Sequence, residues 1–412
     1  MPRLHIAVLD EELPFPLTSG KRIRTFNLLK HLAQRHRVTY IAHRNDDADE
    51  LRAATAALRR IAVSPVVVDY RVPPKRGLAF AGRLARNLFS PLPYSVVTHT
   101  SRAMGAEIDQ LLATDPPDLW HCEWTPYAQA MRGRDVPWMV MAHNVESLIW
   151  QRYTEAEKNP LKKAFLRQQY AKFEAFEGWA YTAATRTVAV SREDADLIEG
   201  RFAAGPVNVV DNGVDTEFFQ PDLTIVRDPH RVLYLGSLDW RPNLDAVSLL
   251  LDDIFPRVRS VEPRASLAIV GRKPPDWLLQ RATQTPGVEL HADVPDVRPF
   301  LHSAGMLAVP LRIGGGSRLK ILEALATGTP VVTSTVGVEG LRLLAGAHCT
   351  VADGPAAMAA ALLETMAHPE LAKQQAGRGR TKVLAEYDWA GLAANLDVIW
   401  QECAGRVAGV RR

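Results

Sequence analysis

The stretch between residues 306 and 333 admits few folds. Residues 306–311 are a short apolar run suited to a buried strand. Gly314, Gly315 and Gly316 follow, where a backbone without Cβ atoms can turn sharply and come close to a ligand. Ser317 suits an N-cap, and Leu319, Leu322, Leu325 and Ala326 recur at helical spacing. Gly328 fits the position just past a helix end, Pro330 stops the helix, and Val331 and Val332 begin a second buried strand. A glycine turn feeding a helix N-terminus is an anion site, because free N–H groups and the helix dipole both face it. Arg318 and Lys320 place positive charge in the first turn, where the dipole disfavours it. Bound phosphate would resolve that conflict.

The same alternation of strand and helix runs through the rest of the chain. Strands are expected at 4–9, 38–42, 65–69, 118–121, 138–142 and 187–190, with helices at 47–61, near 75–89 and 99–113, and at 161–182 and 191–202. Gly205-Pro206 and the turn-rich segment 211–215 then mark a domain boundary. A second series follows, with strands at 231–235, 266–270, 288–291 and 306–311 and helices at 243–253, 275–283 and 296–303. Helices near 355–367, 369–386 and 389–404 form the tail. The pattern predicts an α/β protein of two Rossmann-like, doubly wound domains facing a cleft. Residues 1–205 form the first, 206–386 the second, and 387–412 return as a helix to the first.

Composition narrows the class. A chain of 412 residues, 47% apolar, with a mean hydropathy of −0.10, has core enough for two or three soluble domains. No apolar run approaches the roughly 18 residues of a membrane span. The N-terminal apolar run meets acids at Asp10 and is too short for a signal peptide. Cys122, Cys349 and Cys403 follow no metal or redox spacing, and a reducing cytoplasm is the expected compartment. The net charge of +3 is concentrated before residue 206, which favours an anionic partner there; no nucleic acid is expected. Gly20-Lys21 is no phosphate-binding P-loop, since Phe15 stands where its first glycine belongs, and no Gly-x-Gly-x-x-Gly follows the first strand.

The 310–333 motif resembles the donor-binding element of glycosyltransferase family 4, retaining enzymes of the GT-B fold that use nucleotide-sugars. Four further segments resemble that family in the right order: Pro137 to Glu146, ending in His143-Asn-Val-Glu; Asp211-Asn-Gly-Val-Asp215; Leu235 to Asn243; and Gly337-Val-Glu-Gly-Leu341. The family often carries two glutamates eight positions apart. Here Glu323 holds the second position and Gly315 the first, and Arg241 alone represents an Arg/Lys pair. These departures fit a subgroup with a glycine-rich donor motif.

The resemblance implies sugar transfer to a hydroxyl acceptor: a glycan, glycolipid or polysaccharide precursor. By the same resemblance Glu323 binds the nucleotide ribose, whose diol suits a carboxylate acceptor. Gly20, Arg241, Gly314, Gly315, Gly316, Ser317, Arg318 and Lys320 surround the donor, and Gly20 is followed by Lys21, Arg22 and Arg24. His143, closing an apolar strand, hydrogen bonds the transferred sugar or assists the acceptor hydroxyl; its bland alternative is a core histidine. His121 is read as structural, and Glu146 as a capping-type residue rather than a nucleophile. The leaving diphosphate needs a metal, cations or aligned N–H groups; the glycine turn with Arg241, Arg318 and Lys320 can serve without a metal, and no metal or other cofactor is expected. The Asp-x-Asp pairs Asp47/Asp49 and Asp194/Asp196 have the carboxylate spacing some glycosyltransferases use for manganese, but they fall at expected helix starts, where acids are favoured anyway. Segment 75–89 is basic and amphipathic, so it can pack in a core or rest on the anionic inner face of a membrane. Other functions consistent with the sequence are a nucleotide-sugar epimerase, a non-catalytic nucleotide- or glycan-binding protein, and a membrane-associated scaffold.

Overall fold

The computed structural model describes residues 2–45, 47–313 and 318–408. The chain divides into two compact units, Met1–Asp211 with Leu392–Arg412, and Asn212–Gly391.

The first unit is built on a sheet of seven strands: β1 (His5–Asp10), β2 (Arg37–His43), β3 (Val63–Val68), β4 (Leu119–Cys122), β5 (Trp138–Ala142), β6 (Arg186–Ala189) and β7 (Asn208–Val209). Their order is β3-β2-β1-β4-β5-β6-β7, and every pairing is parallel. Helices cover both faces of such a sheet, which is why its central strands read as unbroken apolar runs; all six residues of β1 are buried. Ile6 pairs with Val38 on one side and Leu119 on the other, so the sheet direction reverses between β1 and β4.

The second unit repeats the plan with β8 (Asp228–Leu235), β9 (Ser266–Gly271), β10 (Val288–Ala292), β11 (Ala304–Val309), β12 (Val331–Thr333) and β13 (Thr350–Val351). The order is β10-β9-β8-β11-β12-β13, again parallel, and it reverses between β8 and β11. In open sheets of this kind the loops at the carboxyl ends of the two strands at the reversal form the ligand crevice. Both units are therefore doubly wound α/β.

Several boundaries differ from the sequence expectation for identifiable reasons. β7 and β13 have two residues each, too few to show a period. β7 pairs with β6, which carries the first unit to Asp211 rather than 205. Tyr387 stays with the second unit, its carbonyl accepting from the Val214 N–H at 2.8 Å and its hydroxyl from the Arg342 N–H at 2.7 Å. The helix Trp389–Ala408 lies in the first unit from Leu392 onward. There Asp397 pairs with His36 Nε2 at 2.9 Å, and the Trp400 ring sits edge-on to His36 and His121. A helix at Glu146–Ala156, unexpected from the sequence, begins where Glu177 of the helix Pro160–Ala183 accepts the N–H groups of Glu146 and Ser147. A distant carboxylate supplies that cap.

Candidate functional site

In the second unit the chemistry gathers at the carboxyl ends of β8 and β11. The helix Leu319–Ala326 ends as its sequence requires. Gly328 has φ +72°, its N–H donates to Leu325, and the Thr329 N–H donates to Ala324, the paired bonds of a Schellman end. Six apolar residues of its eight are buried, leaving Lys320 and Glu323, three positions apart, together on the half-buried face. Lys320 Nζ donates to Asn243 Oδ1 at 3.0 Å and lies 4.7 Å from the Tyr234 ring centre. Asn243 is itself held by Tyr234 Oη and by the Ser237 carbonyl. A Cβ on Gly236 would come within 2.9 Å of both Asn243 Cγ and Lys320 Nζ, so only glycine leaves room for this arrangement. Burial pushes Lys320 down to about 7 and Glu323 up to about 7. The two charges partly counter each shift.

The other donor-site expectations fare differently. Gly314, Gly315, Gly316 and Ser317 lie outside the described residues. The helix starts at Leu319, which makes Arg318 rather than Ser317 the residue at its N-cap. Arg318 is buried, and its guanidinium donates to the Val336 carbonyl at 3.0 Å and faces Glu339 at 3.3 Å. It thus braces the segment after β12. Arg241 opens the helix Arg241–Leu249 and is exposed.

In the first unit the carboxyl ends of β1, β4 and β5 carry a dense polar cluster. Gly20 starts the helix Gly20–Leu32 behind the N-cap Ser19. The basic residues after Gly20, expected to face an anionic ligand, all have partners within the unit. Lys21 is paired with Asp10 and Glu11, Arg22 with Glu12 and Glu50, and Arg24 is buried with its Nη atoms on the Val210 and Asp211 carbonyls. Burial pushes Asp10 up to about 6 against the pull of Lys21, and Tyr40 Oη donates to it at 2.6 Å.

Glu123, just past β4, is the centre of this cluster and was not singled out from the sequence. Its Oε1 accepts from Thr25 Oγ1 at 2.7 Å and lies 3.1 Å from His143 Nε2, while Oε2 lies 3.0 Å from His121 Nε2. His121, read as structural, is therefore part of the same group. Beyond it, Trp124 Nε1 donates to Glu146 Oε1 at 2.9 Å, and burial pushes Glu146 up to about 7. The one signal in the sequence was a carboxylate two residues after a histidine at the end of an apolar strand.

The Asp-x-Asp pairs serve their helices. Asp47 caps Ala48–Arg60 by accepting from Asp49 and Glu50, and Asp194 accepts from the Ser191 hydroxyl at 2.8 Å. Among the described residues no three His, Cys, Asp or Glu side chains are grouped to hold a metal ion. No described helix is long and apolar enough to cross a membrane. The helix Gly77–Asn87 turns apolar side chains outward: Leu78 is 93% exposed and Phe89, just beyond its end, 90%.

Comparison with known proteins agrees with this division. Residues 19–213 match the model of the glycosyl transferase 4-like domain, and residues 229–368 that of glycosyl transferases group 1. A glycogen synthase of Mycobacterium tuberculosis is 29% identical over 235 residues, covering 53% of this chain and 54% of the relative. The GDP-mannose-dependent alpha-(1-6)-phosphatidylinositol monomannoside mannosyltransferase of Mycolicibacterium smegmatis is 31% identical over 255 residues, covering 53% and 66%. The chain thus spans about half the length of the first of these curated relatives and about two thirds of the second. Among solved structures, the sucrose-phosphate synthase of Thermosynechococcus elongatus superposes with a TM-score of 0.70 at 18% identity, over 97% of this chain and 99% of that one. Anabaena HepE in complex with UDP and glucose gives 0.67 at 13% identity, over 97% and 100%. These two show the GT-B fold. With one family model on each series of strands and the two together covering most of the chain, the protein belongs with the glycosyl transferases, its first series matching the glycosyl transferase 4-like domain and its second glycosyl transferases group 1.

Proposed function

We propose that this chain transfers a sugar from a nucleotide diphosphate-sugar to a hydroxyl acceptor, with retention at the anomeric carbon and without a metal ion. The observation that carries this reading is Lys320 drawn over Gly236 onto Asn243, with Glu323 on the same helical face at the end of β11. Lys320 is a cation for the diphosphate, and its cost of burial is relieved when an anion arrives. Glu323 accepts from the ribose hydroxyls. Gly314 to Gly316 and Ser317 supply backbone N–H groups to the same diphosphate, with Arg241 as an outer cation. As the glycosidic bond to the diphosphate breaks, these groups stabilise the developing negative charge. Retention follows from the resemblance to the retaining enzymes of the family.

The first unit takes the acceptor, with His143 hydrogen bonded to a hydroxyl of the transferred sugar or the acceptor, and with Gly20 letting the backbone of its loop approach. A glycan or lipid-linked acceptor agrees with the names of the relatives and with the exposed Leu78 and Phe89, which rest on an anionic membrane from the cytoplasmic side. The test is a thermal-shift panel of UDP-, GDP- and other nucleotide-sugars on wild type and Glu323→Ala. One donor class should stabilise the wild type, and the folded variant should bind it at least tenfold more weakly, about 1.4 kcal/mol. Wild-type affinity in the variant would remove the ribose assignment.

A further inference from the structure

Glu123 is enclosed by groups that can give it a proton to share. Its side chain is 4% exposed, and its own N–H donates to the Leu9 carbonyl at 2.9 Å, fixing the residue between β1 and β4. Thr25 comes from the helix Gly20–Leu32, His121 from β4 and His143 from the end of β5. Burial alone would raise the carboxyl, yet its contacts with His121 and His143 hold it well below the usual range. It is ionised, and an ionised carboxylate can only accept. The nitrogen 3.1 Å away must then carry hydrogen.

The groups facing His143 are Glu123, Glu11, Arg24 and Lys21. Burial, with Arg24 and Lys21, outweighs the carboxylates and lowers the imidazole, which is neutral at pH 7. A neutral ring with hydrogen on Nε2 has its lone pair on Nδ1. No described residue hydrogen bonds that atom, and the side chain is 12% exposed.

We propose that Glu123 is a positioning residue that holds His143 as the Nε2–H tautomer, so that the atom offered to substrate is Nδ1, acting as a hydrogen-bond acceptor. This deepens the proposed function and rests on it for the substrate. It also selects the chemistry His143 meets. A sugar or acceptor hydroxyl has a proton to donate to Nδ1. A diphosphate oxygen, ionised at neutral pH, has none and would face a lone pair with a lone pair.

The full chain labelled with 15N-histidine tests this without turnover, by long-range 1H–15N correlation spectra in which the His143 signals are identified by their loss in His143→Gln. Wild type should show the Nε2–H pattern at pH 7; an Nδ1–H pattern would overturn the proposal. Glu123→Gln retains an accepting oxygen but removes the charge, so the His143 titration midpoint should fall by about one pH unit. An unmoved midpoint would also overturn it. Glu123→Ala should give a mixture of tautomers, and if it does not fold, the wild-type spectrum and the glutamine variant still decide. Separately, transfer that survives His143→Ala would remove the substrate-facing role of His143 while leaving the tautomer result intact.

Discussion

Lys320 and Glu323 both change charge near neutral pH in the ligand-free protein, and they do so in opposite directions from their ordinary values. In the proposed function, nucleotide binding uses the charged form of each. Above about pH 7 Lys320 has lost its proton and must regain it to meet the diphosphate. Below about pH 7 Glu323 is protonated and must release its proton to accept from the ribose twice. Nucleoside-diphosphate affinity should therefore peak near pH 7, with proton uptake on the alkaline side and release on the acid side. Calorimetry in buffers of different ionisation heat reads both. Lys320→Met should flatten the alkaline limb and Glu323→Gln the acid limb; a pH-independent affinity in wild type would show that neither charge matters.

At the scale of elements, the helix Leu319–Ala326 and its C-terminal flank were legible because glycine, proline and apolar spacing act locally. Gly328 at φ +72° illustrates it: Gly328→Ala should cost about 1 kcal/mol in a denaturant melt. Gly105→Ala, within the helix Arg102–Thr114 and with open space at its Cβ, should instead gain up to about 1 kcal/mol. Glu323 was legible too, as a carboxylate set among apolar helix neighbours. What escaped the sequence depends on pairings across long separations. Asn243 and Gly236 frame Lys320 from 77 and 84 positions earlier, and Asp10 and Glu11 claim Lys21 through a turn whose path only the fold decides. Gly236→Ala should push Lys320 aside and weaken nucleotide binding about tenfold with little change in melting temperature; a loss of fold without a loss of affinity per folded molecule would contradict the placement.

At the scale of the molecule, the exposed Leu78 and Phe89 beside Lys75, Arg76 and Arg86 predict sedimentation with anionic vesicles but not with neutral ones, weakened by salt. Leu78→Glu with Phe89→Glu should abolish it while leaving nucleotide binding untouched. Treatment with EDTA should leave transfer intact; complete loss would overturn the metal-free reading.

The two units also differ in how the chain supplies them. Asn212–Gly391 is continuous, whereas the first unit draws on Leu392 onward for Asp397 beneath His36 and for Trp400 against His121, the residue that shares Glu123 with His143. A ribosome releases the second unit whole before those late side chains appear. The second unit can finish folding first, and the unit begun earliest is the last to be sealed.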